Sequence, residues 1–352
     1  MAFTTKTFYS QEELIRHLKA HHPTFYYSSR TSTVIPYDKL ENLLPSHNEF
    51  YLGDLSKLPA EMSLNEKGNL VLKGSVSWEE AKKFLRSKGR NLKTSPTEQL
   101  ALISAGVATS CTGERCFSFG NMRSQVVRLK YLDFNGEKKE LNRDDQFKSS
   151  SSFLSAYQND FKSYQNFKNA PYPRFEKATD LLIGTEGQLG IVTEVEIETT
   201  ENFPVTYVFL LLPRWEENMQ PHLEIYEKVQ AHRDSIISVE LLDSNCMNYL
   251  KAEEKLGNNQ DVIFLEIKSD DFEKVYSDLL SQLTLTGHDQ VFEISENKFH
   301  HVRAGVPRAI FEVNSKMGVV KVGTDVQVNA AHFTDLLNFY REASKLNVRY
   351  CL

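Results

Sequence analysis

Three glycines, Gly184, Gly187 and Gly190, stand three apart inside Asp180-Leu-Leu-Ile-Gly-Thr-Glu-Gly-Gln-Leu-Gly-Ile-Val-Thr-Glu194. Apolar residues flank them on both sides. Glycine is needed where the backbone turns through positive φ, or where a ligand must approach the main chain closely. The spacing admits two readings: a glycine-rich hairpin, or a turn that offers its amides to an anion. It is not a P-loop, because no Gly-Lys-Ser/Thr follows. It is not the Rossmann fingerprint either, which has G-x-G-x-x-G spacing and opens a helix. A second stretch, Ser104-Ala-Gly-Val-Ala-Thr-Ser-Cys-Thr-Gly113, is equally rich in small residues and runs on to Gly120-Asn-Met-Arg123. Small side chains there would let amides and the Thr109 and Ser110 hydroxyls reach a ligand. The alternative is a tightly packed small-residue turn.

Other reactive side chains are fewer. Cys111 and Cys116 form a C-x4-C pair with no second pair of Cys or His nearby, whereas a zinc site needs about four ligands. No metal is expected, and the four cysteines read as reduced thiols in a reducing compartment. His21-His22 and His300-His301 are adjacent pairs, which cannot both face one site on a regular element. Arg303 has the planar fork that binds a carboxylate bidentately; an ion pair within the protein is the other reading.

Composition narrows the class. A length of 352 residues suits two domains on a prior of roughly 100–200 residues each. The net charge of −6 gives no general attraction to nucleic acid or an anionic membrane. The N-terminus has no apolar stretch of signal-peptide length. The longest apolar run, Val208 to Leu212, is far short of the ~20 residues that span a bilayer. The expectation is a soluble cytoplasmic protein.

The elements that must position the two small-residue stretches can be read from patterning. Ser10 and Glu13 make an S-x-x-E helix start before Leu14, Ile15 and Leu18. Phe25 to Tyr27 and Leu70 to Leu72 read as strands, and Trp78 to Leu85 as a helix that Gly89 stops. Gln125 to Phe134 and Glu137 to Leu141 read as a hairpin about Asn135-Gly136. A polar excursion over 142–170 holds one helix around Phe153 to Tyr164. Asp180 to Ile183 and Leu189 to Ile197 read as strands around the glycine turn. Past Phe203-Pro204 strand and helix alternate: strands at Tyr207–Leu212, Ile236–Leu241, Val262–Lys268 and Asp325–Val328, and helices at Glu217–Ala231, Asn245–Leu256 and Phe272–Leu283. This suggests helices on one face of a sheet.

The 180–194 segment resembles D-L-x-x-G-x-E-G-x-L-G-I-I/V-T-E, the signature of the FAD-linked oxidases with a PCMH-type (vanillyl-alcohol-oxidase-like) FAD-binding domain. The D-lactate and glycolate dehydrogenase branch is the most similar. The 104–123 segment resembles the family's G-G-x-V-A-T-N-A-x-G-x-x-x-x-x-Y-G-x-M-R, with Gly106, Ala108, Thr109, Gly113, Gly120, Met122 and Arg123 matching. Looser likenesses run through Asp54-Leu-Ser56, Leu70 to Ser77, Lys168 to Tyr172, Ser238 to Asp243, His301 to Arg303 and Lys321 to Val328.

The resemblance implies an α+β chain: a two-subdomain FAD-binding domain over 1–200, then an α+β cap domain over 201–352 for the substrate. It implies FAD held non-covalently, since no histidine or cysteine attachment site is present. The residues that match cofactor-binding positions are Arg30, Thr31, Ser32, Gly106, Ala108, Thr109, Ser110, Gly113, Gly120, Arg123, Glu186, Gly187, Gly190, Ile191 and Val192. It further implies an oxidoreductase in which a base takes the hydroxyl proton of a small 2-hydroxy acid and the α-hydrogen passes to the flavin as hydride. No base is identifiable; His300, His301 and Arg303 are the candidates on the cap side.

Two departures stand out. The family's loop P-R-G-G-G-T-S is here Tyr26-Tyr-Ser-Ser-Arg-Thr-Ser32, with all three glycines replaced. Arg30 either pairs with phosphate oxygens or is an ordinary solvated side chain. In addition, relatives continue into a G-H-x-G-D-x-x-x-H segment that has no counterpart up to Leu352. The cap is therefore expected to be incomplete. The alternative function is an FAD-binding, non-catalytic member within a larger oxidoreductase, with a partner subunit or a homo-oligomer left open.

Overall fold

The computed structural model describes residues 4–31, 50–145, 151–160, 162, 167, 176–286, 288–318 and 326–346. The chain divides into two compact units. The first comprises Met1–Cys116 and Gly120–Asn202, the second Phe117–Phe119 and Phe203–Leu352.

In the first unit, β1 (Thr4–Thr7), β2 (Thr24–Tyr27) and β3 (Tyr51–Asp54) form a parallel sheet in the order β1-β3-β2. The strands β4 (Glu61–Leu64), β5 (Leu70–Lys73), β6 (Arg90–Leu92), β7 (Val126–Leu132), β8 (Lys138–Asn142), β9 (Ile191–Ile197) and β10 (Thr199–Glu201) follow. Five of these make an antiparallel sheet, β4-β5-β9-β7-β8, while β6 pairs with β10. One apolar cluster, formed by Phe8, Leu14, Leu18, Leu58, Leu132 and Ile191, joins the parallel sheet to β7 and β9. A second core lies beneath the five-stranded sheet, around Leu70, Leu72, Trp78, Ile103, Val107, Leu129 and Val195.

Local chemistry explains the main elements. Helix Gln11–Lys19 starts where the Ser10 hydroxyl accepts the Glu13 amide at 3.1 Å; the Glu13 carboxylate returns to the Tyr9 amide, one residue earlier than a regular capping box requires. Helix Trp78–Arg86 has the full reciprocal box between Ser77 and Glu80, and buries Trp78, Ala81 and Leu85 on one stripe. The β7–β8 hairpin turns at Gly136, at φ 74°, with the Asp133 carboxylate accepting the amides of Asn135 and Glu137.

Three expectations are corrected. Asp180 to Ile183 is no strand: Ala178–Leu181 is a 3-10 turn, because the Asp180 carboxylate accepts the Glu176 and Lys177 amides and curls the chain. The helix expected over Asn245–Leu256 is only Ser244–Met247, since no side chain between Leu250 and Asp261 is buried to anchor a longer one. Residues 326–328 are irregular, and β14 (Val291–Ile294) takes the sheet edge instead. Helix Glu296–Met317 was hidden from the sequence reading by Gly305 and Pro307 within it.

In the second unit β11 (Val205–Leu212), β12 (Ile236–Leu242), β13 (Asp261–Lys268) and β14 form an antiparallel sheet, β12-β13-β11-β14. Alternate residues of β13 enter two different cores. Ile263 and Leu265 meet Ile225 and Val229 of helix Gln220–Ala231; Val262 and Phe264 meet Phe299, Val302 and Val306 of helix Glu296–Met317. Helices therefore cover both faces, where patterning suggested one. Buried Asp261 ties the unit together by accepting the amides of Trp215 and Ser244, each at 2.7 Å, and facing His222 Nε2 at 3.0 Å.

An ion network lies on the five-stranded sheet. The Arg128 guanidinium meets Glu194 at 2.9 Å and Glu196 at 3.2 Å, and Glu196 also accepts from Asn65 and Asn69. Burial opposes ionisation of Glu196, but hydrogen bonds from Asn69, Arg128 and Asn65 outweigh it and hold its carboxyl below the ordinary range. Its stabilisation is therefore present above the ordinary glutamate pKa and lost as pH falls through the depressed folded value. Arg128→Ala is expected to lower the unfolding free energy at neutral pH by about 2 kcal/mol, less than a fully buried pair because the guanidinium is partly exposed. Urea unfolding from neutral pH down to about pH 3 checks this: the gap between wild type and variant should narrow with acidification. A constant gap would mean that Arg128 acts through packing alone.

Candidate functional site

The 104–123 and 180–192 segments meet. The Gly184 amide donates to Val107 O at 3.1 Å and the Glu186 amide to Ala108 O at 2.8 Å. Val107 and Ala108 end the short helix Ile103–Ala108, so the glycine turn is fastened to the C-terminal end of that helix. Arg123 closes the other side. Its guanidinium pairs with Asp180 and donates to Ile183 O.

The backbone in this region is strained. Among the described residues, six non-glycines have positive φ, and four of them lie in the three segments that resemble the family: Arg30 (54°), Ser110 (47°), Arg115 (65°) and Glu186 (53°). Left-handed conformations in non-glycine residues cost about 1–2 kcal/mol each and concentrate at functional turns. Gly184 and Gly187 share the conformation, each at φ 79°.

The glycines divide into two kinds. A Cβ on Gly106 would lie 2.7 Å from the Trp78 ring, one on Gly113 2.0 Å from Ser95 O, and one on Gly190 2.6 Å from the Tyr131 ring. Close packing within the protein explains these three. A Cβ on Gly187 would meet only Gly190 O, at 4.0 Å, so space lies open beside it. Among the described residues, no acceptor takes the Gly187 amide.

The remaining residues are placed as follows. Thr109 is exposed, with its hydroxyl donating to Ala105 O, while Ser110 is fully buried. The Gly120 carbonyl accepts from Thr94 Oγ1 and Gln125 Nε2. Ile191 is buried in the cluster that joins the two sheets, and Val192 packs on the second core. Arg30 follows β2 and lays its guanidinium 3.9 Å from the centre of the Tyr27 ring. Thr31 is half-buried, and Ser32 lies outside the described residues. Lys82 stands 3.5 Å from Glu114 in the same region; burial lowers its pKa against the pull of that carboxylate.

In the second unit, His300 lies against the Phe299 and Tyr207 rings, exposed His301 meets Glu254 at 3.0 Å, and Arg303 pairs with Glu240. The pairing of Asp180 with Arg123 and the contact of Trp78 with Gly106 were missed in the sequence. The opposite charges inside two otherwise small-residue motifs were the available signal for the first. Nothing local marked the second.

The chain has the fold of the FAD-linked oxidases with a PCMH-type FAD-binding domain, as its two motifs implied. It is similar to D-lactate dehydrogenase (cytochrome), mitochondrial, of Kluyveromyces lactis, with 29% identity over 147 residues, which is 41% of this chain and 21% of that protein. Two crystal forms of alkyldihydroxyacetonephosphate synthase superpose with TM-scores of 0.61 and 0.59 at 13% identity, covering 87% of this chain. The chain spans 56% and 54% of those two structures. No family model matches. No helix among the described residues is long and apolar enough to cross a membrane.

The division of the glycines is testable. Gly113→Ala should lower stability by about 3 kcal/mol through overpacking against Ser95. Gly187→Ala should lower it by only about 1 kcal/mol, from backbone strain without a clash. Chemical denaturation of the two variants checks this; equal losses would contradict the assignment.

Proposed function

We propose that residues 1–200 form an FAD-binding domain, that residues 201–352 belong to a substrate cap, and that the chain serves the FAD-dependent oxidation of a small 2-hydroxy acid such as D-lactate or glycolate. The observation that carries the reading is the pair of hydrogen bonds that fastens the glycine turn to Val107 and Ala108, in a turn where the Gly187 amide has no acceptor among the described residues and a Cβ at Gly187 would meet open space. An anion such as the pyrophosphate fits that turn chemically, because it offers the Gly187 amide as a donor and room that a Cβ at Gly187 would take. Gly187 and its neighbours Glu186 and Gly190, and Ala108, Thr109, Ser110 and Gly120 of the opposing turn, would shape the main-chain wall. Arg30 and Thr31 would face the phosphates. Ile191 and Val192 fix β9 behind the turn. Bound FAD would supply the hydride acceptor; the protein supplies orientation and charge. Four cysteines in 352 residues, too few for a disulfide framework, suit a reducing compartment such as the cytoplasm.

The choice of substrate class follows the D-lactate dehydrogenase of the comparison and the motif likeness. A second reading, an FAD-binding subunit of a larger oxidoreductase, is favoured by one observation: Arg303, the candidate for the substrate carboxylate, is already engaged by Glu240.

Titration of the purified protein with FAD, followed by quenching of flavin fluorescence, should show saturable binding. Gly187→Ala should weaken it about tenfold, equivalent to about 1.4 kcal/mol. Anaerobic addition of D-lactate or glycolate should then bleach the flavin bands. A bound flavin that no 2-hydroxy acid bleaches would select the subunit reading. Absence of binding would overturn both.

A further inference from the structure

The Ile183–Gly184 peptide is held from both ends by the opposing segment. Its carbonyl accepts from Arg123 Nη2 at 2.8 Å, and its amide donates to Val107 O at 3.1 Å. Arg123 reaches that carbonyl while its other terminal nitrogen pairs with Asp180 Oδ1. The second Asp180 oxygen accepts the Lys177 amide at 2.8 Å and the Glu176 amide at 3.1 Å. Asp180 therefore spends both oxygens on the turn's own framework. The pair is enclosed: the Arg123 side chain is 10% exposed and that of Asp180 4%. Arg123 Nε is buried without a partner. A guanidinium so placed has no face left for a phosphate.

We propose that Arg123 and Asp180 are a positioning pair that orients the Ile183–Gly184 peptide, and through it the open amide of Gly187, without touching the ligand. This rests on the FAD reading and deepens it, because it moves Arg123 from ligand contact to alignment of the turn. The geometry requires the arginine fork. One planar group reaches a carboxylate and a carbonyl at once; a lysine ammonium on its flexible stem holds one of them at a time.

The sign of one variant separates the two roles. If Arg123 were a phosphate ligand, Asp180→Asn would free its charge and remove a nearby anion, so FAD would bind more tightly. If the pair aligns the turn, the same change places an amide NH2 against the guanidinium, tilts the peptide, and weakens binding about tenfold. Arg123→Lys, which keeps the charge, should weaken it by a similar factor. The double variant should be no worse than the poorer single one, as expected of residues that act as a unit. Arg128→Ala, which destabilises the same unit away from the turns, should leave FAD affinity unchanged and so reports on mere loss of stability. Fluorescence titration of FAD into these four variants and the wild type, each confirmed folded by circular dichroism, tests the proposal. Unchanged or tighter binding by Asp180→Asn, multiplicative losses in the double variant, or an equal loss in Arg128→Ala would each overturn it. Failure of the wild type to bind FAD would instead remove the reading beneath it.

Discussion

Two main-chain hydrogen bonds, from Gly184 to Val107 and from Glu186 to Ala108, govern what the rest of the first unit must do. Each requires a short helix to stop at Ala108 and a turn to arrive beside it with the Gly184 and Glu186 amides aimed at the helix's last carbonyls. The helix is placed by Ile103 and Val107, which enter the core with Trp78 and Leu129. The turn is placed by β9, which pairs with β5 over Glu194–Ile197 and with β7 from Ile191 to Ile197. The five-stranded sheet is thus the frame, and its dense core is what allows the turns to hold a conformation that they would not adopt alone.

The same constraint explains why small residues serve two purposes here. Gly106 exists so that Trp78 can lie on its helix, and Gly113 so that the chain can pass Ser95. Neither faces open space. Gly187 does. A sequence presents these as one kind of signal, because a glycine needed for packing and a glycine needed for ligand approach are written with the same letter. Only distances from a virtual Cβ separate them.

Legibility followed the range of the interaction. The Trp78 helix, the Asn135-Gly136 hairpin and the strands β9, β11 and β13 were readable, because caps, turn residues and apolar periodicity are local signals. The Asp180 turn was misread as a strand because Asp180-Leu-Leu-Ile is apolar enough for either, and the deciding bonds run from the aspartate to two preceding amides. The long helix Glu296–Met317 was missed because Pro307 argues locally for a break. At the candidate site the motif positions were legible, but their partners were not. Arg123 and Asp180 sit in different motifs, and no periodicity brings them together. The α+β character of the second unit was legible, whereas the covering of both sheet faces was carried only by the short apolar run Val262 to Leu265 within β13, which the alternation of strands and helices does not reveal.

The loss of the family's glycines in the 28–32 loop bears differently once conformation is considered. If those glycines were present only to permit positive φ, their replacement should abolish the turn. Arg30 nevertheless adopts φ 54°. The strain of about 1–2 kcal/mol at Arg30 is opposed by the stacking of the guanidinium on Tyr27, a contact worth about 0.5–1 kcal/mol when exposed and more when desolvated. Ser110 and Glu186 follow the same pattern, one held by complete burial and the other by the bond from its amide to Ala108. At these three positions the left-handed conformation is maintained by what surrounds the residue rather than by the absence of a side chain. Arginine at position 30, where the resembled motif has glycine, thus combines a left-handed backbone with a positive charge, and both favour an anionic ligand.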